Sequence, residues 1–453
     1  MFRWLAWLVL TAAIVTGAAY LFAGRGTPPA IAINRPDRLI GQIGTLEVTA
    51  EAPDALFTAL TVALEQSGRT VTLFALDDPR TAMMAETQGD VVRITRPIGK
   101  ASIPEIGPGP ARIVVSATRP TLFNLRALSS TAAKDIQVKL DPPSLSVVST
   151  QHYVNHGGSE AVLYRVTPPD THSGVRVGDL EYPGFPAGAG DPALKIAFFG
   201  LLPEQDLNTP IAVFARDEVG NEASSSFVDK VFPKAFRRSR IAVDDRFLQR
   251  VVPEILQRSP ELAAPANDLP AAFLKINGEL RALNARQIDE LTRRTSTSRL
   301  WEGPFVQLGN SQVEAGFADH RTYLYKGQEV DRQVHLGFDL AVTAAIPVLA
   351  ANAGTVLHAA WLGIYGNCVI VDHGMGVGSL YGHLSSLDVK PGDAVAKGQI
   401  LGRSGMTGLA GGDHLHFTML LSGRPVNPVE WWDSHWIEDR VERKLRALGI
   451  AAP

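Results

Sequence analysis

The chain has 453 residues, 45% of them hydrophobic and 20% charged, which describes folded protein and calls for roughly two to four domains. A formal net charge of −3 gives no electrostatic case for a nucleic-acid partner. The single cysteine, Cys368, excludes an intrachain disulfide and with it a disulfide-stapled secreted scaffold.

Residues 4–24 carry no charge and are largely apolar. A helix of about 20 residues crosses a ~30 Å hydrocarbon core, whereas a cleavable signal has a shorter apolar core of ~7–15 residues. The expectation is an uncleaved single-pass anchor in the inner (cytoplasmic) membrane, with secretion after signal cleavage as the alternative. Arg3 precedes the run and Arg25, Arg35 and Arg38 follow it, so counting positive charges does not fix the orientation. The very short tail ahead of a large body points to translocation of that body to the periplasm or outside.

After a Gly/Pro-bearing spacer, residues 37–141 hold short β-type runs such as Thr45-Leu46-Glu47-Val48 and Ile113-Val114-Val115, separated by turn residues. That spacing predicts a β-sandwich-like module; 55–64 reads as a strand or a short helix. A second β block, 142–233, ends in Ile211-Ala212-Val213-Phe214-Ala215 followed by Asp217-Glu218-Val219-Gly220-Asn221, which resembles the last hairpin of bacterial immunoglobulin-like modules. Its His152, His156 and His172 lack an acidic partner at regular spacing and read as surface residues. Residues 240–298 form a helical connector: Phe247, Leu248, Val251, Val252, Ile255 and Leu256 make an apolar stripe, in which Pro253 predicts a kink or interruption. A second stripe runs through Ile276, Leu280, Leu283, Ile288 and Leu291. The plain reading is a connector packed on its neighbours; the sharper one is a gate over a catalytic groove.

The chemistry concentrates in the last third. His414 and His416 lie two apart in an apolar, glycine-bounded run that reads as a strand, so both face one side. Upstream, the four-residue offset of His335 and Asp339 also shares a face. A lone histidine on an apolar strand is usually a core residue. Two imidazoles and a carboxylate, however, make an N/O donor set that suits zinc, and three protein ligands leave the fourth position that a catalytic site needs. Tyr381-Gly382-His383-Leu384 supplies a fifth candidate between the pairs. His358 and His373 are extra histidines, and His373, at a strand end, reads as a surface or turn residue. Trp431, Trp432 and Trp436 read as core, and 437–453 as a C-terminal helix and tail.

His-x-x-x-Asp, then Tyr-x-His-Leu, then His-Leu-His-Phe, joined by glycine-punctuated segments such as Tyr365-Gly366-Asn367 and Gly405-Met406-Thr407-Gly408, resembles the lysostaphin-type (LytM-domain) zinc metallopeptidases that cut peptidoglycan cross-links. The likeness covers 299–436, less than a third of the chain. It implies that His335, Asp339 and His416 hold one zinc ion and that His383 and His414 are the catalytic acid/base pair, their order open. The implied fold is mainly β and multidomain: an N-terminal transmembrane helix, two β-sandwich-like modules, a helical connector and a C-terminal β-rich peptidase domain. The implied activity is zinc-dependent endopeptidase cleavage of peptidoglycan, with peptidoglycan and the membrane as partners. The alternatives are a non-catalytic activator of a cell-wall amidase or division-complex scaffold, and a peptidase acting on protein. The sequence departs from relatives at Gly411-Gly412-Asp413, at Thr418 where glutamate is common, and at Ala345-Ile346-Pro347-Val348.

Overall fold

Strict alternation builds the first part of the chain. In Gly44–Glu51 the residues Leu46, Val48 and Ala50 point inward; in Gly109–Thr121, Ala111, Ile113, Val115 and Ala117 do. One sheet orders Ala30–Arg35, Gly44–Glu51, Val91–Ile98 and Ala85–Gln88; the other orders Leu39–Ile40, Arg126–Val138, Gly109–Thr121, Ala59–Gln66 and Arg69–Ala75. Their inward residues form one apolar cluster that includes Leu60, Phe74 and Ile94. The ambiguous stretch at 55–64 contributes the strand Ala59–Gln66. The structure, a computed structural model, describes residues 2–24, 26–53, 55–121, 126–188, 190–341 and 343–450. Arg25, the Arg3 side chain and the last three residues of the expected tail lie outside that description. The chain divides into two compact units, 1–142 with 216–222, and 143–215 with 223–453. The N-terminal helix Phe2–Ala23 is long and apolar enough over Trp4–Ala23 to cross a membrane.

The second unit is mostly β. Ser159–Thr167 and Leu194–Gly200 pair antiparallel, and Leu180–Pro183, His172–Val177 and Ile211–Arg216 lie side by side in a second sheet. This block has no core of its own. Val162, Phe198 and Phe199 belong to the same apolar cluster as Trp301, Tyr381, Phe417 and Trp431. Trp431 packs against Trp301 at 5.6 Å and Phe305 at 5.4 Å between ring centroids. Below it, the fully buried carboxylate of Glu160 takes a 2.9 Å hydrogen bond from the Lys444 ammonium. Of the three early histidines His172 is exposed, as expected, and His156 is half-buried; His152, contrary to the surface expectation, is 2% exposed. Its ring is held by the Ser149 hydroxyl at 2.8 Å and the Phe227 edge.

The sheet that carries the site orders Gln312–Ala315, Phe338–Ala341, His414–Leu421, Val377–Leu384, Asn367–Gly374, Gly354–Trp361 and Ala394–Val395, with Arg424–Val426 hairpinned onto His414–Leu421. Its ladders are antiparallel, so each strand presents alternate residues to two faces. On His414–Leu421, the face of Leu415, Phe417, Met419 and Leu421 joins the large core. The opposite face, with His414, His416 and Thr418, ends at Leu420, which packs with Leu380, Ile370, Cys368 and Ile288.

Ile288 comes from the helical segment. Asp245–Arg258 starts on the side chain of Asp244, which accepts from Phe247 N, and continues through Pro253. The proline removes one hydrogen bond, but Leu248, Val251, Val252 and Ile255 lie buried on both sides of it and the helix is not interrupted. Leu269–Lys275 and Arg281–Thr292 are joined by a π-helical turn, Ile276–Leu280. There the buried Asn277 donates to Asp331 at 2.7 Å. Arg281–Thr292 therefore rests on the same sheet face that carries the histidines, and Asn284 accepts from Ile364 N at 3.0 Å.

Candidate metal centre

Strand register sets the first two residues of the site. Asp339 sits directly opposite His416, and Gly382 opposite His416 on the other side. His335 ends the strand Gln328–His335, and the chain crosses through Leu336-Gly337 into Phe338–Ala341. The crossing needs glycine at 337, because a Cβ there would come within 2.6 Å of the His416 ring and the Thr418 hydroxyl. The result is a close triangle: His335 Nε2 to Asp339 Oδ1 2.9 Å, His416 Nδ1 to Asp339 Oδ1 3.0 Å, and His335 Nε2 to His416 Nδ1 3.1 Å.

Hydrogen bonds on the outer ring nitrogens decide what that triangle contains. His335 Nδ1 donates to the Gly316 carbonyl at 3.0 Å, which leaves Nε2 as a lone pair. The Thr418 hydroxyl donates to the Leu336 carbonyl at 3.0 Å, so it accepts from His416 Nε2 at 3.1 Å and leaves Nδ1 as a lone pair. Two nitrogen lone pairs and a carboxylate oxygen thus face one another, within 4.8 Å and largely buried. In the neutral imidazoles that arrangement calls for positive charge at its centre, and its borderline donor set with outer partners on each imidazole fits zinc.

His383 and His414 stand beside the triangle. Their ring centroids are 4.8 Å apart, and His383 is 5.8 Å from His416. His383 donates Nδ1–H to the Thr407 carbonyl at 2.8 Å and His414 to the Gly412 carbonyl at 2.9 Å, so Nε2 of each ring is left to face the site, that of His414 3.5 Å from Asp339 Oδ1. His383 adopts φ 65°, a strained left-handed conformation for a non-glycine residue, inside the strand Val377–Leu384.

The environment separates the two histidines. Burial, with the neighbouring His414 and His416, holds His383 well below the usual imidazole range. Burial lowers His414 as well, but the hydrogen bond and charge of Asp339 outweigh it and raise that ring. His416 is pushed by burial down to about 4. Burial alone would raise Asp339; the charge of His335 and hydrogen bonds from the surrounding histidines overcome it and hold the carboxyl well below its ordinary value.

All five expected site residues line one cavity of about 190 Å³, together with Arg321, Tyr323 and Tyr365 and with Arg281, Ala285 and Ile288 of the helical segment. His358 and His373 lie elsewhere. His358 bonds to the Ala360 carbonyl. His373 is fully buried, contrary to the surface expectation: Nδ1 donates to the Ala353 carbonyl and Nε2 accepts from Ser379, both at 2.7 Å, and Phe305 caps the ring. Its strand ends under other chain, so a terminal position did not mean exposure.

The sequence reading missed Arg321, whose Nη2 donates to Asp339 Oδ2 at 2.8 Å. The signal was present in the hairpin around Lys326-Gly327. Its alternation puts Arg321 in phase with the buried Tyr323, and an inward arginine needs an anion.

Two imidazoles and one carboxylate around a common point, with two more imidazoles alongside, make a group that could hold one metal ion. Residues 333–428 match peptidase family M23, so the C-terminal region is a metallopeptidase domain of that family. Over 97 residues the chain is 39% identical to the DD-carboxypeptidase/endopeptidase Mpg of Neisseria meningitidis serogroup B, covering 21% of this chain and 22% of the relative. Over 96 residues it is 38% identical to the peptidoglycan DD-endopeptidase ShyA of Vibrio cholerae serotype O1, again 21% and 22%. The chain thus spans about a fifth of the length of the curated relatives it matches. Among solved structures, the catalytic domain of lysostaphin from Staphylococcus simulans is 28% identical, covering 27% of this chain and 92% of that one, with a TM-score of 0.24.

Proposed function

We propose that residues 299–436 form a zinc-dependent endopeptidase that hydrolyses amide bonds in peptidoglycan peptide cross-links. In this reading the N-terminal helix anchors the chain in the inner membrane and the body works on its outer side. One observation carries the activity: three donor atoms, His335 Nε2, Asp339 Oδ1 and His416 Nδ1, converge beside two further histidines whose inner nitrogens face the same cavity. The substrate class rests on the two DD-endopeptidase relatives.

His335, Asp339 and His416 would hold the ion. Bound there, zinc supplies Lewis acidity toward water and toward an amide carbonyl. The remaining work falls to the chain. His383 and His414 present Nε2 to the cavity, one to take a proton from water and pass it to the leaving amine, the other to donate to the developing oxyanion. The carbonyls of Thr407 and Gly412 fix which nitrogen of each ring is available. The pKa directions of the pair are opposite, burial lowering His383 and Asp339 raising His414 against its burial, which favours different roles for the two rings.

The test is digestion of purified sacculi by the full-length chain in detergent, with released muropeptides read by mass. Cleavage should stop with a chelator and return with zinc. Cleavage that continues after metal removal would overturn the zinc reading. Failure to cleave, with stimulation of an added amidase, would replace the enzyme by the activator.

A further inference from the structure

We propose that Arg321 is a positioning residue for the metal centre, gripping Asp339 by its outer oxygen so that the inner oxygen faces the ion. The proposal rests on the metal-centre reading above and extends it by a line of residues outside the five-residue motif. The two oxygens of Asp339 have different jobs. Oδ1 lies 2.9, 3.0 and 3.5 Å from the inner nitrogens of His335, His416 and His414. Oδ2 takes the 2.8 Å hydrogen bond from Arg321 Nη2. A carboxylate with one oxygen tied this way cannot rotate to offer both to the ion, which fixes single-oxygen ligation.

A second carboxylate stands behind Arg321. Its buried Nε makes no hydrogen bond but lies at ion-pair distance, 3.6 Å, from Asp319 Oδ2, and the Asp319 side chain is 3% exposed. Ser239 Oγ lies 2.9 and 2.8 Å from the two oxygens of Asp319 and donates its hydroxyl proton to that carboxylate. Ser239 stands next to Arg321 in the parallel pairing of Arg238–Val243 with Asp319–Tyr325. The line Ser239, Asp319, Arg321, Asp339 therefore runs from an edge strand at the foot of the helical segment to the centre of the site. Arginine is suited to the middle position because its planar fork reaches two carboxylates at once; lysine carries the charge at a single point.

Two roles for Arg321 predict opposite signs. A mere counter-charge weakens the attraction of Asp339 for a cation, so its removal would tighten zinc. A positioning grip loses geometry on removal, so zinc would weaken. The experiment uses the full-length chain and measures zinc affinity by competition with a chromophoric chelator, with the visible spectrum of the cobalt(II)-loaded protein as a report on coordination. For Arg321→Gln the expected result is a roughly 10- to 100-fold loss of zinc affinity and a weaker, shifted cobalt spectrum, in protein whose circular dichroism shows it folded. Arg321→Lys should recover only part of the affinity. Asp319→Asn, which leaves Arg321 in place but loosens it, should show a smaller loss in the same direction and keeps the question open to measurement if Arg321→Gln does not fold. Unchanged or tighter zinc binding in Arg321→Gln or Asp319→Asn would overturn the positioning role. Absence of zinc binding by the parent chain would instead overturn the metal-centre reading on which it stands.

Discussion

The Nε2 atom of His416 lies 3.1 Å from the hydroxyl of Thr418, two residues along the same strand, and that contact decides which nitrogen of His416 faces the metal site. This chain fixes the tautomer with a hydroxyl that is itself anchored to the Leu336 carbonyl. Thr418→Val keeps the shape and removes the acceptor. We expect zinc affinity to fall about 10- to 100-fold, with Thr418→Ser retaining most of it; chelator competition on both variants checks this.

The five residues should divide into two classes. His335→Ala and His416→Ala should lose bound zinc and activity together. His383→Ala and His414→Ala should keep near-stoichiometric zinc and lose about 10²- to 10⁴-fold in turnover. Elemental analysis beside sacculus digestion separates the classes; zinc loss in His383→Ala would move that residue into the ligand set.

Acid should destabilise the second unit through His373. Burial holds its folded pKa at about 4 against 6.5 unfolded. A depressed histidine contributes stability that is present above the unfolded value and lost as pH falls toward the folded one, because only the unfolded chain takes up the proton. Over pH 7.5 to 4.5 this amounts to about 2.5 kcal/mol. His373→Gln should remove that part of the acid sensitivity, read as a smaller difference between urea midpoints at the two pH values.

Lys444 and Glu160 form a buried pair whose members cannot be removed singly without cost. Lys444→Met leaves the Glu160 carboxylate at 0% side-chain exposure with Arg440, 3.7 Å away, as its remaining ion-pair partner among the described residues. We expect a loss of roughly 3–5 kcal/mol, and recovery of most of it in the double variant Lys444→Met with Glu160→Gln. Urea unfolding of the three proteins tests the coupling.

The site was legible in the sequence because its ligands obey local rules. Period-two alternation put His414 and His416 on one face, and the short His335–Asp339 offset survives a chain crossing at Gly337. The first module was legible for the same reason. What escaped was set by tertiary packing. Pro253 predicts a break that the buried residues around it prevent. His152 and His373 lack the spacing of ligands, yet each fills a buried niche with a hydroxyl partner. Arg321 lies 18 residues before Asp339, and only the hairpin register brings the two together. The second β block reads as a module, but its inward residues close a core with Trp301 and Trp431, far along the chain.

Cys368 sits beneath the helix Arg281–Thr292, in the cluster of Ile288, Leu380 and Leu420 on the histidine-bearing face of the sheet. It is fully buried, and that burial drives its thiol well above the ordinary range, so it is inert while the helix is seated. As the chain has no other cysteine, the protein carries its own reporter. The rate at which a thiol reagent labels it clocks how often this helix lifts off the floor of the groove, with no engineered label required.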